Sequence, residues 1–242
     1  MVSLCQPFSG DEGARIVHVL QKLGAHNTHH WAFTGSLALE FHLAQVGAAP
    51  RKRRFTDLDF VVDSFDSIPV GLSAHFLFNH VHRTAGQGKL CIQLVEPEAK
   101  VRIDVFRTSG ETMSRTVNIL YDEGRFRMLA LEDLAARCSG VALGVLSGAS
   151  IPAKHLQDLL RSAGHVDSVR VLRAWEDHRE AYHPDRFEQA VRLLQSLTDK
   201  QRSVFTEGIY ETDITAVCQK CSELPQFPLA AKERVWALLG YC

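Results

Sequence analysis

The chain has 242 residues, of which 45% are hydrophobic and 23% are charged. This balance is typical of a globular protein with enough apolar side chains for one large domain or two small ones. The formal net charge of −1 excludes a global electrostatic attraction to nucleic acid or to an anionic membrane, so any affinity for phosphate has to be local.

The sequence gives no indication of export or of membrane insertion. The first 13 residues lack the basic and apolar regions of a signal peptide, and no apolar run approaches the roughly 18 residues of a membrane helix. Cys218 and Cys221 form the one close pair among six cysteines, without the second pair that a zinc site needs. We expect a cytoplasmic protein with free thiols and no membrane contact.

The first third of the chain predicts helices alternating with strands. Residues 11–23 have the apolar spacing of an amphipathic helix, which Asp11 could cap and which Gly24 ends. The next predicted elements are a strand at 31–34, a helix at 37–45, a strand at 55–62 and a helix at 70–82. Gly35 and Ser36 therefore lie at a junction between a strand and a helix.

Two β-hairpins follow, and the rest of the chain is helical. The hairpins are predicted at 89–107, around a turn at 96–98, and at 118–129, around a turn at 122–124. Helical spacing then recurs from Leu131 onward, at 154–162, 166–178, 186–197 and 230–239. The predicted fold class is α/β (α+β), with a small mixed sheet flanked by helices in a domain of residues 1–130 and a helical domain of residues 131–242.

Three aspartates have the spacing of a metal site. Side chains alternate along a strand, so Asp57 and Asp59 point to one face of the sheet while Leu58 points to the other. If the strand that carries Asp104 is a neighbour, Asp104 joins the same face. Carboxylates in such proximity repel one another unless a hard cation such as Mg²⁺ lies between them. Three of them can hold two metal ions for phosphoryl transfer.

Gly35 and Ser36 supply a candidate phosphate site. A glycine lets the main chain approach a phosphate closely, and the helix that follows presents free N–H groups and the positive end of its dipole. The Ser36 hydroxyl can donate a further hydrogen bond. A Gly-Ser pair alone is common in turns, and the later aspartates make the pattern specific.

With these residues, the sequence resembles the nucleotidyltransferase fold superfamily, which includes polymerase-β-like enzymes. The matching segments are Phe33-Thr34-Gly35-Ser36, Phe55-Thr56-Asp57-Leu58-Asp59-Phe60 and Arg102-Ile103-Asp104-Val105. Within the superfamily, it looks similar to the group of AbiEii-type toxins and related predicted nucleotidyltransferases. Two further segments carry that likeness, Leu131-Glu132-Asp133-Leu134-Ala135 and residues 152–159, so it spans roughly residues 14–163.

The resemblance implies a role for each matching residue. Asp57, Asp59 and Asp104 would be the catalytic metal ligands for Mg²⁺, or for Mn²⁺, with Asp104 also a candidate base. Gly35 and Ser36 would bind the phosphates of an NTP, together with Lys154 and Asp158. The chain departs from the group at His155, where relatives often carry an acidic residue, and at Arg137 and Cys138, near the place of a lysine in several of them.

The hypothesis that follows is a Mg²⁺-dependent enzyme that moves an NMP from an NTP to an acceptor, which could be an RNA such as tRNA, a protein or a small molecule. The alternatives are an NTP-binding toxin or regulatory protein without transfer, with an antitoxin-like partner, and an interaction module with a vestigial site. Lys154 and Asp158 could also form a simple helical ion pair. The basic run 51–54 could guide a polyanion, and Gly86 to Lys89 lacks the rest of a P-loop.

Overall fold

The computed structural model describes residues 10–49, 57–83, 90–108, 110–121, 124–207 and 227–228. Most of the sheet-forming segments come first in this range, and a mainly helical second half follows. The strands are β1 (Ala32–Thr34), β2 (Asp57–Val62), β3 (Leu77–Arg83), β4 (Leu90–Glu96), β5 (Val101–Arg107), β6 (Val117–Tyr121), β7 (Gly124–Met128), β8 (Ile151–Pro152), β9 (Phe205–Thr206) and β10 (Phe227–Pro228).

Among the described residues, two α-helices lie in the sheet-forming part and five follow it. They are α1 (Asp11–Gly24), α2 (Gly35–Gln45), α3 (Leu131–Leu143), α4 (Ala153–Ser162), α5 (Arg170–His178), α6 (Phe187–Gln195) and the single turn α7 (Asp199–Arg202). The mixed α/β class with a helical second half is therefore confirmed. Asp11 is the first residue of α1 rather than its cap, which is Gly10.

Within the described residues, eight strands form one mixed sheet in the order β10-β3-β4-β5-β2-β1-β7-β6. In its centre, β2 runs parallel to β5 and antiparallel to β1, and β1 runs parallel to β7. Both predicted hairpins are present as the antiparallel pairs β4–β5 and β6–β7. The central position of β2 and β5 follows from their composition, because Leu58, Phe60 and Val62 on β2 and Val101, Ile103 and Val105 on β5 form buried apolar faces.

The prediction of a helix at 70–82 is wrong. A short 3₁₀ helix covers Val70–Ala74, and the chain then forms β3 from Leu77. β3 pairs antiparallel with β4, with a register shift between Phe78 and His80. This pairing satisfies the hydrogen-bonding edge of β4, which a helix at the same place would leave open.

The buried apolar side chains form two clusters. One lies between the sheet and the helices α1 and α2 and extends to Leu134 in α3. The other begins at Ala135 and joins α3 to α4, α5 and α6 around Trp175. Helix α3 contributes residues to both clusters, so it connects the helices of the second half to the core that packs on the sheet. The division into two domains at residue 130 stays a prediction.

Among the described residues, no helix has the length and apolar character required to cross a bilayer. Neither Cys91 nor Cys138 forms a disulfide bond. The basic run 51–54, the glycine-containing segment 86–89, the Cys218–Cys221 pair and the predicted helix 230–239 lie outside the described residues.

Candidate functional site

The pairing of β2 with β5 places the three aspartates together. The two strands are parallel, with Asp57 opposite Arg102 and Asp59 opposite Asp104. Leu58, on the other face of the sheet, is fully buried. Because that face forms the core, alternation along the strands leaves the aspartates on the opposite face.

The carboxylates form a tight group. Asp57, Asp59 and Asp104 each offer an oxygen, and these atoms all lie within 4.8 Å of one another. Asp104 is buried, whereas Asp57 and Asp59 are partly exposed. The expectation that these residues share one face is confirmed, and their catalytic and metal-binding roles stay a proposal.

Burial and mutual repulsion make Asp59 and Asp104 difficult to ionise. Burial, followed by the neighbouring charges of Asp57 and Asp104, raises the pKa of Asp59 to about 7. Burial also raises the pKa of Asp104, with Arg102 opposing the shift and Asp57 adding to it. Positive charge close to Asp59 would therefore be strongly stabilising.

The donor set fits a hard divalent cation. It consists of carboxylate oxygens, which Mg²⁺ and Mn²⁺ prefer. The described residues provide no hydrogen bond to the Asp59 carboxylate, which therefore keeps its coordinating capacity.

Two residues that sequence reasoning did not assign to the site contact the carboxylates. Arg102 Nη2 donates to Asp57 Oδ2 at 2.5 Å, and Arg102 Nε lies 3.3 Å from Asp104 Oδ1. Gln93 Nε2 donates to Asp104 Oδ1 at 2.8 Å. The alternation that places Asp104 on this face also places Arg102 there, so the sequence did contain the signal for Arg102. The contact between Gln93 and Asp104 depends on the register of the β4–β5 hairpin, which pairs these two residues.

Gly35 lies directly against the acidic group. Thr34 pairs with Asp59 across β1 and β2, so the first residue of α2 lies beside Asp59. Gly35 has φ +64°, and a Cβ at this position would come within 1.9 Å of Asp59 Oδ2. Only glycine fits both the conformation and the space. Ser36 follows in the first turn of α2 and is partly exposed.

Two positively charged side chains from the helical half, Arg137 and Lys154, act on this face of the sheet. Arg137 in α3 donates from Nη1 to Thr34 Oγ1 at 3.2 Å, and its guanidinium carbon lies 4.9 Å above the centre of the Phe106 ring. The charges of Lys154 and Arg137 both act to lower the pKa of Asp59, against the larger effect of burial. The charge of Lys154 therefore acts on the predicted metal site.

Asp158 has a different environment. It is buried on α4, and its charge acts on Arg161, whose pKa is raised mainly by the hydrogen bond to Glu40. Arg161 joins α4 to α2 through both oxygens of Glu40 and also donates to the carbonyl of Ala49 at 3.0 Å. Asp158 is not part of the three-carboxylate group, and its nucleotide-binding role stays a prediction.

The acidic residues of the Leu131–Ala135 segment make structural contacts. Asp133 is fully buried and accepts from Arg115 Nε at 2.9 Å and Nη2 at 2.6 Å, with His178 Nε2 3.1 Å away. Glu132 accepts from the main-chain N–H of Asp167 at 3.1 Å. These contacts join α3 to neighbouring segments, which gives this motif a structural explanation.

A second cluster has the ligand types of a metal site but already contains a cation. His18, Glu96 and Glu98 are close enough together to hold an ion. Lys22 Nζ, however, lies 2.7 Å from a carboxylate oxygen of both Glu96 and Glu98. The ammonium group forms salt bridges to both acids, so the cluster is a salt-bridge network between α1 and the β4–β5 turn.

The fold and the site together define a mixed α/β protein with an acidic face that could hold a divalent cation. No protein-family model matches the sequence, and no curated protein matches it. Two solved structures from Helicobacter pylori are similar to it. JHP933 is 12% identical, with a TM-score of 0.38 and coverage of 80% of this chain and 90% of JHP933. A proposed nucleotidyltransferase is 13% identical, with a TM-score of 0.40 and coverage of 81% and 91%. These values do not carry a functional assignment, which depends on the site itself.

Proposed function

We propose that this chain is a divalent-metal-dependent nucleotidyltransferase that moves an NMP from an NTP to an acceptor and releases pyrophosphate. One observation carries the proposal. Three carboxylates from two adjacent strands lie within 4.8 Å of one another, and the helix start at Gly35 lies against one of them. The site thus combines ligands for a cation with a main-chain site for phosphate.

Asp57, Asp59 and Asp104 would hold the cation, Mg²⁺ or Mn²⁺. When bound, such an ion neutralises charge on the transferring phosphoryl group and favours ionisation of the attacking group. Asp104 is held at Oδ1 by Gln93, which fixes its orientation. The buried apolar face behind these strands keeps the three carboxylates in a fixed arrangement, as positioning of this kind requires.

The phosphates of the NTP would bind at the start of α2, close to two positively charged side chains. Gly35 leaves the main chain accessible, and Ser36 can donate from its hydroxyl. Lys154 and Arg137 approach the same face from α4 and α3. Their charges would attract the polyphosphate and balance the negative charge that develops during transfer.

The test is transfer from labelled NTPs. Purified protein is incubated with each labelled NTP, Mg²⁺ or Mn²⁺, and tRNA, total protein or a small-molecule extract, and the products are identified by mass spectrometry. Asp57→Asn and Asp59→Asn should abolish product formation. Asp63→Asn is the matched control, because Asp63 is an exposed carboxylate immediately after β2. Wild-type turnover that persists in the Asp57→Asn/Asp59→Asn variant would overturn the proposed site.

A second candidate is an NTP-binding regulator or toxin component that does not catalyse transfer. The observation that favours it is Arg102, which engages Asp57 and Asp104 and so occupies part of the carboxylate group. Calorimetry separates the two candidates. Metal-dependent NTP binding without product for any acceptor supports the regulator, and a labelled product supports the enzyme.

A further inference from the structure

Arg102 places a permanent positive charge inside the acidic group. Its Nη2 atom lies 2.5 Å from Asp57 Oδ2, and its Nε atom lies 3.3 Å from Asp104 Oδ1. The side chain is only 19% exposed, and its buried Nε–H donates no well-directed hydrogen bond to any described residue. A guanidinium group does not lose its proton in a protein, so this charge persists at every accessible pH.

The guanidinium reaches two of the three carboxylates. Asp57 and Asp104 have close contacts with Arg102, whereas no described residue donates a hydrogen bond to Asp59. The Lys22 cluster is the useful comparison within the same chain. There, the ammonium group of Lys22 lies 2.7 Å from a carboxylate oxygen of Glu96 and 2.7 Å from one of Glu98. Arg102 likewise has close contacts with two carboxylates, but its group contains a third, Asp59, to which no described residue forms a salt bridge.

We propose that Arg102 is an internal counter-cation that competes with the divalent metal ion for Asp57 and Asp104. This inference rests on the proposed function, because it concerns the same metal centre. Arg102 stabilises the three carboxylates in the metal-free protein, and a divalent ion that uses all three has to displace the guanidinium. Metal affinity is therefore lower than three clustered carboxylates alone would give.

Metal binding without substrate tests the inference. Mn²⁺ binding to wild-type protein, Arg102→Gln and Arg102→Lys is measured by calorimetry at pH 8. Removing the charge in Arg102→Gln should tighten Mn²⁺ binding at least about tenfold, whereas Arg102→Lys should stay within about threefold of the wild type because it keeps the charge. Arg127→Gln is the control for loss of a partly buried arginine, since Arg127 Nη2 donates to the carbonyl of Met113.

Thermal unfolding with and without Mn²⁺ keeps the test decisive if Arg102→Gln is unstable. Loss of the counter-cation should lower the melting temperature of the metal-free variant, and Mn²⁺ should raise it by more than it raises that of the wild type. A variant that folds only with Mn²⁺ supports the inference. A variant that folds under neither condition overturns it, because Arg102 would then serve the fold.

The outcomes also separate this inference from the proposed function. Equal or weaker Mn²⁺ binding by a folded Arg102→Gln variant overturns the role of Arg102 and leaves the metal centre in place. Absence of Mn²⁺ binding in the wild type and in all variants overturns the metal centre, and the inference with it.

Discussion

The carboxylate of Asp59 lies against the α-carbon of Gly35. A Cβ built on Gly35 would come within 1.9 Å of Asp59 Oδ2 and 2.7 Å of Asp59 Cγ. The contact exists because β1 ends at Thr34, directly opposite Asp59 on β2, and α2 begins at the next residue. The helix start and the carboxylate group are therefore parts of one rigid arrangement.

Gly35→Ala should consequently damage both stability and metal binding. The backbone conformation at φ +64° costs a non-glycine residue about 1–2 kcal/mol, and the overlap with Asp59 adds about 1–3 kcal/mol. Asp59 has to move, so Mn²⁺ affinity should fall. Gly47→Ala is the matched control, because Gly47 has φ +74° and open space around it. Urea unfolding and Mn²⁺ calorimetry measure both effects, and normal Mn²⁺ binding by folded Gly35→Ala would contradict the arrangement.

The raised pKa of Asp59 makes the metal-free protein less stable as the pH rises. Burial and the charges of Asp57 and Asp104 hold its pKa at about 7, against 3.8 without them. The folded state therefore keeps a proton that the unfolded state loses between about pH 4 and 7, and the contribution of Asp59 to stability is lost over that range. Relative to Asp59→Asn, the wild-type melting temperature should fall by several degrees between pH 4 and 7.5, on the order of 5 °C.

The comparison with the Asp59→Asn variant is necessary because other carboxylates make stability depend on pH in the opposite direction. The pKa of Asp133 and that of Asp167 are lowered, so both groups favour the folded state at higher pH. Subtracting the Asp59→Asn profile removes their effect. Asp63→Asn should retain the wild-type profile, since Asp63 is exposed and outside the group. Identical profiles for Asp59→Asn and the wild type would refute the raised pKa.

The sequence predicted the carboxylate group because its geometry depends on a local rule. Alternation along a strand places Asp57 with Asp59 on one face, and the same rule applies to Asp104. The only further requirement was that β2 and β5 be neighbours, which their apolar faces favour. Gly35 was predictable in the same way, because a single strand-to-helix junction defines it.

What the sequence did not predict depends on contacts between distant segments. Residues 77–83 form a strand because β4 is available for pairing, which no local pattern shows. Arg137 reaches Thr34 across 103 positions of sequence, through the packing of α3 against α2. Arg102 was on the correct face by alternation, but its role depends on a hydrogen bond to Asp57 in another strand.

Lys154→Met should weaken NTP binding while leaving the metal centre intact. Its ammonium charge acts on Asp59 and Asp104, so under the proposed function it would attract a polyphosphate bound at the metal. Loss of a charged contact to phosphate should weaken binding about tenfold to a hundredfold. Mn²⁺ affinity without nucleotide should be unchanged or slightly higher, because a nearby positive charge is removed.

Calorimetry with a non-hydrolysable NTP analogue and Mg²⁺ measures the Lys154 effect. Lys200→Met removes the same charge from the exposed single-turn helix α7 and should bind the analogue as the wild type does. Equal affinity in Lys154→Met and Lys200→Met would place the nucleotide elsewhere on the protein.

Asp133→Asn should destabilise the protein without changing the metal centre. Asp133 is fully buried and accepts two hydrogen bonds from Arg115, which also contacts Asp177 at 2.7 Å. Removing one partner of such a buried ion pair costs about 3–5 kcal/mol. Asp185→Asn breaks the exposed pair with Arg179 and should cost at most about 1 kcal/mol. Urea unfolding at pH 7 compares the two, and Mn²⁺ binding at low temperature tests the centre. An Asp133→Asn variant of normal stability that no longer binds metal or NTP would give this motif a functional role instead.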